Sequence, residues 1–356
     1  MMREGPESMP MTHIVKVLRH LGYACCALLL LGCSDVPSAL TPLHDYQTRV
    51  ANTLEREPIS YHRKSYPLLP QARELRIEVP RVSISLLDSW RVNKCAAGQL
   101  IAERNSALGT LERGVTRYVK DVQLSLAIED CVRQLEANGD ALAARLQEAL
   151  EAKQETLAAE RQHALGTDPA LRNALRVGGS TLAVADDDLF AASISSLETI
   201  IAALQADLDQ QPPTEDAVEQ ALEDLYQYDY LPQLWRSLHE LNTYLHQLEP
   251  LTVNLASASG CTSKGRPERA NVLHTIFLKY FIGEAQPHMA KFTQQGYIAN
   301  DALEELYQLS EQPQMREYLR ALMDLTDQLN AASKAHVEPW QEFFSACNFS
   351  LGDGVT

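Results

Sequence analysis

Residues 190–208 read FAASISSLETIIAALQADL and residues 234–248 read LWRSLHELNTYLHQL. In the first, Phe190, Ile194, Leu197, Ile201, Leu204 and Leu208 recur at steps of four and three. In the second, Leu234, Leu238, Leu241, Leu245 and Leu248 do the same. A helix turns about 100° per residue, so these steps keep a side chain on one face, whereas a strand needs steps of two. Both stretches predict amphipathic helices with a narrow apolar seam. Between them Pro212-Pro213-Thr214 ends one helix and caps the next, whose first turn carries Glu215 and Asp216 as the helix dipole favours. The two segments are expected to lie side by side, antiparallel.

The same period runs outward in both directions. Leu43, Tyr46, Val50 and Leu54 mark a first helix ended by Pro58; Val115, Val119, Val122 and Leu126 mark another, as do Leu142, Leu146, Leu150 and Leu157. Met315, Leu319, Leu322 and Leu329 carry the last long one. Asp168-Pro169 is a cap with proline at the first helical position, and Asp301 with Glu304 reads as a capping box. One stretch breaks the pattern. Pro58, Pro67, Pro70 and Pro80 do not fit inside helices, and Leu75, Ile77 and Val79 alternate at period two, so this segment should be an extended strap. Helices resume near Leu86, and Gly178-Gly179 and residues 256–267 are loops. The expectation is an all-α fold: an antiparallel bundle of long helices, about eight to ten of them, with one extended proline-containing strap.

Ahead of the bundle stand Lys16 and Arg19, an apolar run from Leu21, and Leu30-Leu31-Gly32-Cys33. This string resembles the lipobox of bacterial lipoprotein signal peptides. The resemblance implies cleavage before Cys33 and lipidation of that residue, with palmitate among the acyl chains. The run is too short for a membrane-spanning helix, which needs about 20 apolar residues. Residues 1–32 are then a signal peptide, 33–42 a lipidated tether and 43–356 a single helical extracytoplasmic domain. Met11 would give a conventional basic lead, with Met1 and Met9 as the other starts. Two or three acyl chains hold a protein on a membrane essentially permanently. With Ser34 rather than Asp after the cysteine, the resemblance to enterobacterial lipoproteins implies export to the outer membrane rather than the inner, facing the periplasm.

Removing residues 1–32 takes away Arg3, Lys16, Arg19, Glu4 and Glu7, leaving 28 basic against 45 acidic side chains, a net charge of −17. Such a chain repels phosphate backbones, so no nucleic acid is expected as partner. The membrane, reached through the lipid, is the expected partner, together with a possible envelope protein. The charge is uneven: Asp186–Glu249 is strongly acidic and Arg56–Arg117 basic, so the two could attract each other.

Cys95, Cys131, Cys261 and Cys347 remain in the mature chain, an even number that reads as two disulfides in an oxidising compartment. If the helices through Cys95 and Cys131 are antiparallel, the sulfurs meet only when both lie equally far from the turn. That places the turn at Arg113 beside Gly114, with Gly109 just before it. Cys95 to Cys131 is the expected pair, leaving Cys261 to Cys347.

A search for reaction chemistry finds little. Phosphate-binding glycine motifs and serine-nucleophile elbows are absent. Glu160-x-x-His163 and His246-x-x-Glu249 have metal-like spacing, but one of each is what chance gives at this composition, and no cofactor or metal is expected. Tyr226, Tyr228, Tyr230 and Trp235 read as the closing of a bundle end, and Asp186-Asp187-Asp188 as the cap of a helix from Leu189. One polar string stands out. Glu103-Arg104-Asn105-Ser106 interrupts a helix whose stripe runs Leu87, Trp90, Ala97, Ile101, Leu108 and Leu111, and four successive residues sweep most of a turn. Arg104 or Asn105 must face the seam. The expected role is a polar lock that fixes register; the alternative is a ligand pocket around Arg104 and Asn105 with His274 or His288. A haem or metal site through His246 and Glu249 is the weaker alternative, and the balance leans away from an enzyme.

Cys95, the string from Ala102 to Gly109, Cys131, Gln286-Pro287 and the ending Trp340 to Cys347, with the lipobox and strap, resemble the uncharacterised proteobacterial lipoproteins grouped as domain-of-unknown-function family 3080. The resemblance spans nearly the whole mature chain. It implies an envelope address and supplies no mechanism, so the sequence points to a membrane-anchored, non-enzymatic binding or scaffold protein.

Overall fold

A computed structural model describes residues 36–80, 95–262 and 265–349. After a 3₁₀ turn at Ser38–Leu40, the helices are α1 (Thr41–Thr53), α2 (Ala96–Arg104), α3 (Gly114–Ala137), α4 (Leu142–Thr167), α5 (Pro169–Leu175) and α6 (Asp187–Gln205). They continue as α7 (Glu215–Gln227), α8 (Tyr230–Thr252), α9 (Leu255–Ser259), α10 (Glu268–Ile276), α11 (Gln286–Leu309) and α12 (Pro313–Ala346), with a π-helical stretch at Phe277–Ala285 joining α10 to α11. Among the described residues there is no strand, and no helix is long and apolar enough to cross a membrane. The fold is all-α, as the stripes imply. The lipobox with Cys33, and Leu87 and Trp90, lie outside the described residues.

The organising element is α8. Its apolar seam, Leu234, Leu238, Leu241, Leu245 and Leu248, is buried, and so are Arg236, His239, Glu240 and Tyr244 on its other faces. Helices α11 and α12 pack on it as a hairpin, with α6, α5 and α1 around the remaining sides. The strap covers its polar face. Gln247 accepts from the His62 backbone N–H at 2.9 Å and donates to the His62 carbonyl at 2.5 Å. Further along, Arg172 donates to the Pro70 carbonyl and Gln312 to the Leu75 carbonyl. An extended segment has no internal ladder, so these side chains take the place of one. Tyr66 lies over the buried Arg236 guanidinium at 4.5 Å, and Arg236 pairs with Glu240 one turn on.

Several expectations need correction. The partner of α6 across Pro212-Pro213 is α7, because the chain breaks again at Tyr228–Asp229 before α8 begins. Thr214 does cap α7, accepting from Ala217 N–H. Asp301 and Glu304 are interior to α11 and cap nothing: the helical path runs on from α10 through the π stretch. The extra segments beyond the expected number come from such breaks. Asp186, rather than its two followers, caps α6 through the N–H groups of Asp188 and Leu189. The packed body begins at Ser38, inside the stretch read as tether, with Ala39 and Leu40 fully buried. Among the described residues no ion pair joins the acidic segment 186–249 to the basic segment 56–117; the nearest is Lys120 to Glu215 at 2.6 Å.

Helices α2, α3 and α4 form an arm. Ala97 and Ile101, the outer half of α3 from Leu124 to Leu135, and Leu142 to Leu150 of α4 make their own apolar cluster. The disulfide Cys95–Cys131, with Cα atoms 5.7 Å apart, closes its edge. Cys261–Cys347, at 5.4 Å, ties the loop after α9 to the end of α12.

Candidate functional site

The inner end of the arm is charged. Helix α2 stops at Arg104, and residues 105–113 turn back into α3, so Glu103-Arg104-Asn105-Ser106 ends a helix where an interruption was expected. Leu108 and Leu111 are correspondingly exposed, at 79% and 66%. The turn is tight at Gly109, where a Cβ would meet the Glu103 carbonyl at 2.3 Å. That close approach lets Arg104 donate through Nη1 to the Gly109 carbonyl at 3.0 Å while its Nε donates to Asp121 at 3.2 Å. Glu103 is exposed and 3.4 Å from Lys120, Ser106 accepts from Gly109 N–H, and Asn105 faces solvent. Of the four, Arg104 alone reaches the interior.

Asp121 is the anion at the centre, 1% exposed on α3. Three cations converge on it: Arg104, Lys153 of α4 at 2.9 Å, and Arg117 one turn before it at 3.5 Å. Lys153 also pairs with Glu160 at 2.7 Å; the two are seven residues apart and so share a face of α4. Glu160 Oε2 is buried, and among the described residues no donor is directed at it. Burial, then the hydrogen bond and charge of Asp121, push the Glu160 carboxyl up to about 7 against the pull of Lys153. Burial acts the same way on Asp121, but the hydrogen bond from Glu160 and the charges of Lys153 and Arg104 hold it below the usual carboxylate range. Of the two carboxyl groups, Glu160 is therefore the one that takes up a proton first as pH falls.

Beside this cluster lies a pocket of about 470 Å³, walled by residues 76–79 of the strap, the start of α3, Tyr118, Glu160 and His163. His163 accepts at Nδ1 from the Ile77 N–H, 3.3 Å away, which leaves the proton on Nε2. Its basicity is lowered by burial first, then by Arg76, Arg117 and Arg113. Helix α3 begins at Gly114 with φ +61°, where a Cβ would strike Asp168. Asp168 serves two helices at once: Oδ1 accepts from Ala170 and Leu171 of α5, and Oδ2 from Val115 of α3.

The other candidates are dispersed. His274 stacks on Phe349 with centroids 4.2 Å apart, and His288 bonds the Ala39 carbonyl, so neither joins Arg104. His246 and Glu249 bond each other at 2.8 Å on the surface. Glu160 and His163, tied to Lys153 and Ile77, do not share a point, and among the described residues no group of three His, Cys, Asp or Glu could hold a metal. Tyr230 is buried against Asp186 and Gln295, and Trp235 bonds the Ala174 carbonyl, while Tyr226 and Tyr228 are exposed. Sequence reasoning missed Asp121, Lys153 and the role of Glu160. A signal existed: Lys153 falls in the gap between Leu150 and Leu157, at a core position of the stripe.

A family model described as a protein of unknown function (DUF3080) matches residues 43–351. No curated protein and no solved structure matches the chain.

Proposed function

The chain belongs to the DUF3080 family, whose function is unknown, and from its own residues we propose a lipid-anchored protein of the bacterial cell envelope with a non-enzymatic binding or scaffold role. The observation that carries the non-enzymatic part is the inward closure of the charged cluster. Arg104 and Lys153 both pair with Asp121, and Lys153 also with Glu160, across three helices, as in a register lock, and Arg104 spends both Nε and Nη1 on the protein itself. The anchor is supported by Leu30-Leu31-Gly32-Cys33 and the short apolar run before it. Ser34 favours the outer membrane, and the net charge of the mature chain disfavours nucleic acid.

Mass spectrometry of the membrane fraction tests the anchor: the N-terminal peptide should start at acylated Cys33. A soluble protein with unmodified Cys33 would sink the address. Cross-linking in intact envelopes followed by affinity capture tests the binding role, with a protein partner expected in reproducible stoichiometry. Mixing with duplex DNA at physiological salt should give no measurable complex; micromolar affinity with a steep salt slope would contradict the charge argument.

A further inference from the structure

The pocket beside the lock carries more positive charge than the protein neutralises. Arg76 on the strap and Arg113 at the start of α3 line it, and among the described residues neither makes an ion pair or side-chain hydrogen bond. Arg117, also in the wall, lies 3.5 Å from an Asp121 that already serves Arg104 and Lys153 at shorter range. The acids present are largely spent. Glu112 is 2.6 Å from Lys120, and Glu160 is held by Lys153, which leaves Glu78 against three guanidinium groups. His163 sits among the three as a neutral donor, with Nδ1 occupied by Ile77. Exposed arginines are ordinarily just solvated. Here they converge on one concavity in a chain whose formal net charge is −16.

We propose that this pocket binds a small, multiply charged oxyanion, a molecule bearing phosphate or clustered carboxylate groups, between the strap and the first turns of α3. The guanidinium fork matches the paired oxygens of either group. The volume of about 470 Å³ is that of a small-molecule site. The N-terminus of α3 does not supply the charge, because Asp168 already accepts from Val115 there; the side chains do. This deepens the binding role proposed above and rests on it.

The test is calorimetric titration of the full acylated chain in detergent with pyrophosphate and with citrate. Arg76→Ala and Arg113→Ala are compared with the parent and with Arg133→Ala, a surface control on the outer part of α3. Since neither Arg76 nor Arg113 has a side-chain partner among the described residues, both variants should keep the parent melting temperature. Saturable binding is expected, weakened about tenfold or more by each pocket variant, as loss of one charge-assisted hydrogen bond implies, and unchanged by Arg133→Ala. A parallel arm uses phosphatidic acid vesicles against phosphatidylcholine vesicles. Binding to the former alone, lost in the same variants, would support the same chemistry with a lipid headgroup as its source. No heat with either soluble anion and no vesicle binding overturns the proposal, and so does binding that the pocket variants leave intact. Mass measurement of Cys33 on the same preparation reads the anchor separately, so a missing ligand and a missing anchor are distinguishable.

Discussion

Asp168 shows how much one side chain can organise. Its carboxylate closes the first turn of α5 and the first turn of α3, whose Gly114 adopts φ +61° to make room for it. Asp168→Ala orphans donors of both helices and should cost about 2–3 kcal/mol in urea denaturation. Asp121→Asn leaves buried cations without their anion, and a loss of about 3 kcal/mol is expected. The Glu160 proton gives a pH signature. Its folded value, about 7, lies above the unfolded carboxylate value, so its contribution is fully present below about pH 4.5 and is lost as pH rises through 7. His336, buried against the Tyr46 hydroxyl and held down to about 4, acts oppositely and loses stability as pH falls below about 6.5. Comparing the parent with Glu160→Gln isolates the first effect. The variant should gain relative stability between pH 5 and 8, on the order of 2 kcal/mol, read as a widening difference in melting temperature. The sequence exposed Arg104 because a run of polar residues cannot avoid a helix face. It concealed Asp121 and Glu160 because acidic residues on leucine-striped helices look like solvated faces until the partner helix is known.

Elements were legible where a single stretch of chain decides them. The prolines define the strap, and the four-three steps define α6, α8 and α12, because both signals are local. The break between α7 and α8, the π stretch at Phe277–Ala285 and the false capping box at Asp301 depend on what packs against them, as in the stacking of Phe277 on Trp340 at 4.6 Å. The hairpin of α2 and α3 was legible through cysteine spacing, and the structure brings Cys95 to Cys131 with the turn at residues 105–113. Non-reducing peptide mapping should link Cys95 to Cys131 and Cys261 to Cys347; a Cys95–Cys261 peptide would refute the arrangement. In the chain-entropy account, closing loops of 36 and 86 residues contributes about 4 kcal/mol each. Cys95→Ser with Cys131→Ser should lower the melting temperature without abolishing the fold.

At the scale of the whole molecule, two apolar regions meet at a charged layer. The seam of α8 is packed on all sides by other helices, whereas the arm of α2, α3 and α4 buries a smaller cluster beyond Asp121 and Lys153. Packing energy is continuous within each region and is interrupted at the ion pairs, so the chain has a natural line along which cooperativity weakens. Amide hydrogen exchange should follow that line. Amides of residues 124–150 should exchange through a subglobal opening of lower free energy, while those of 234–248 exchange only with global unfolding. Reducing Cys95–Cys131 should accelerate the first group and leave the second unchanged. Because the oxyanion pocket draws its walls from the base of that arm, occupancy should slow the same amides, making the arm a reporter whose clock runs with the ligand.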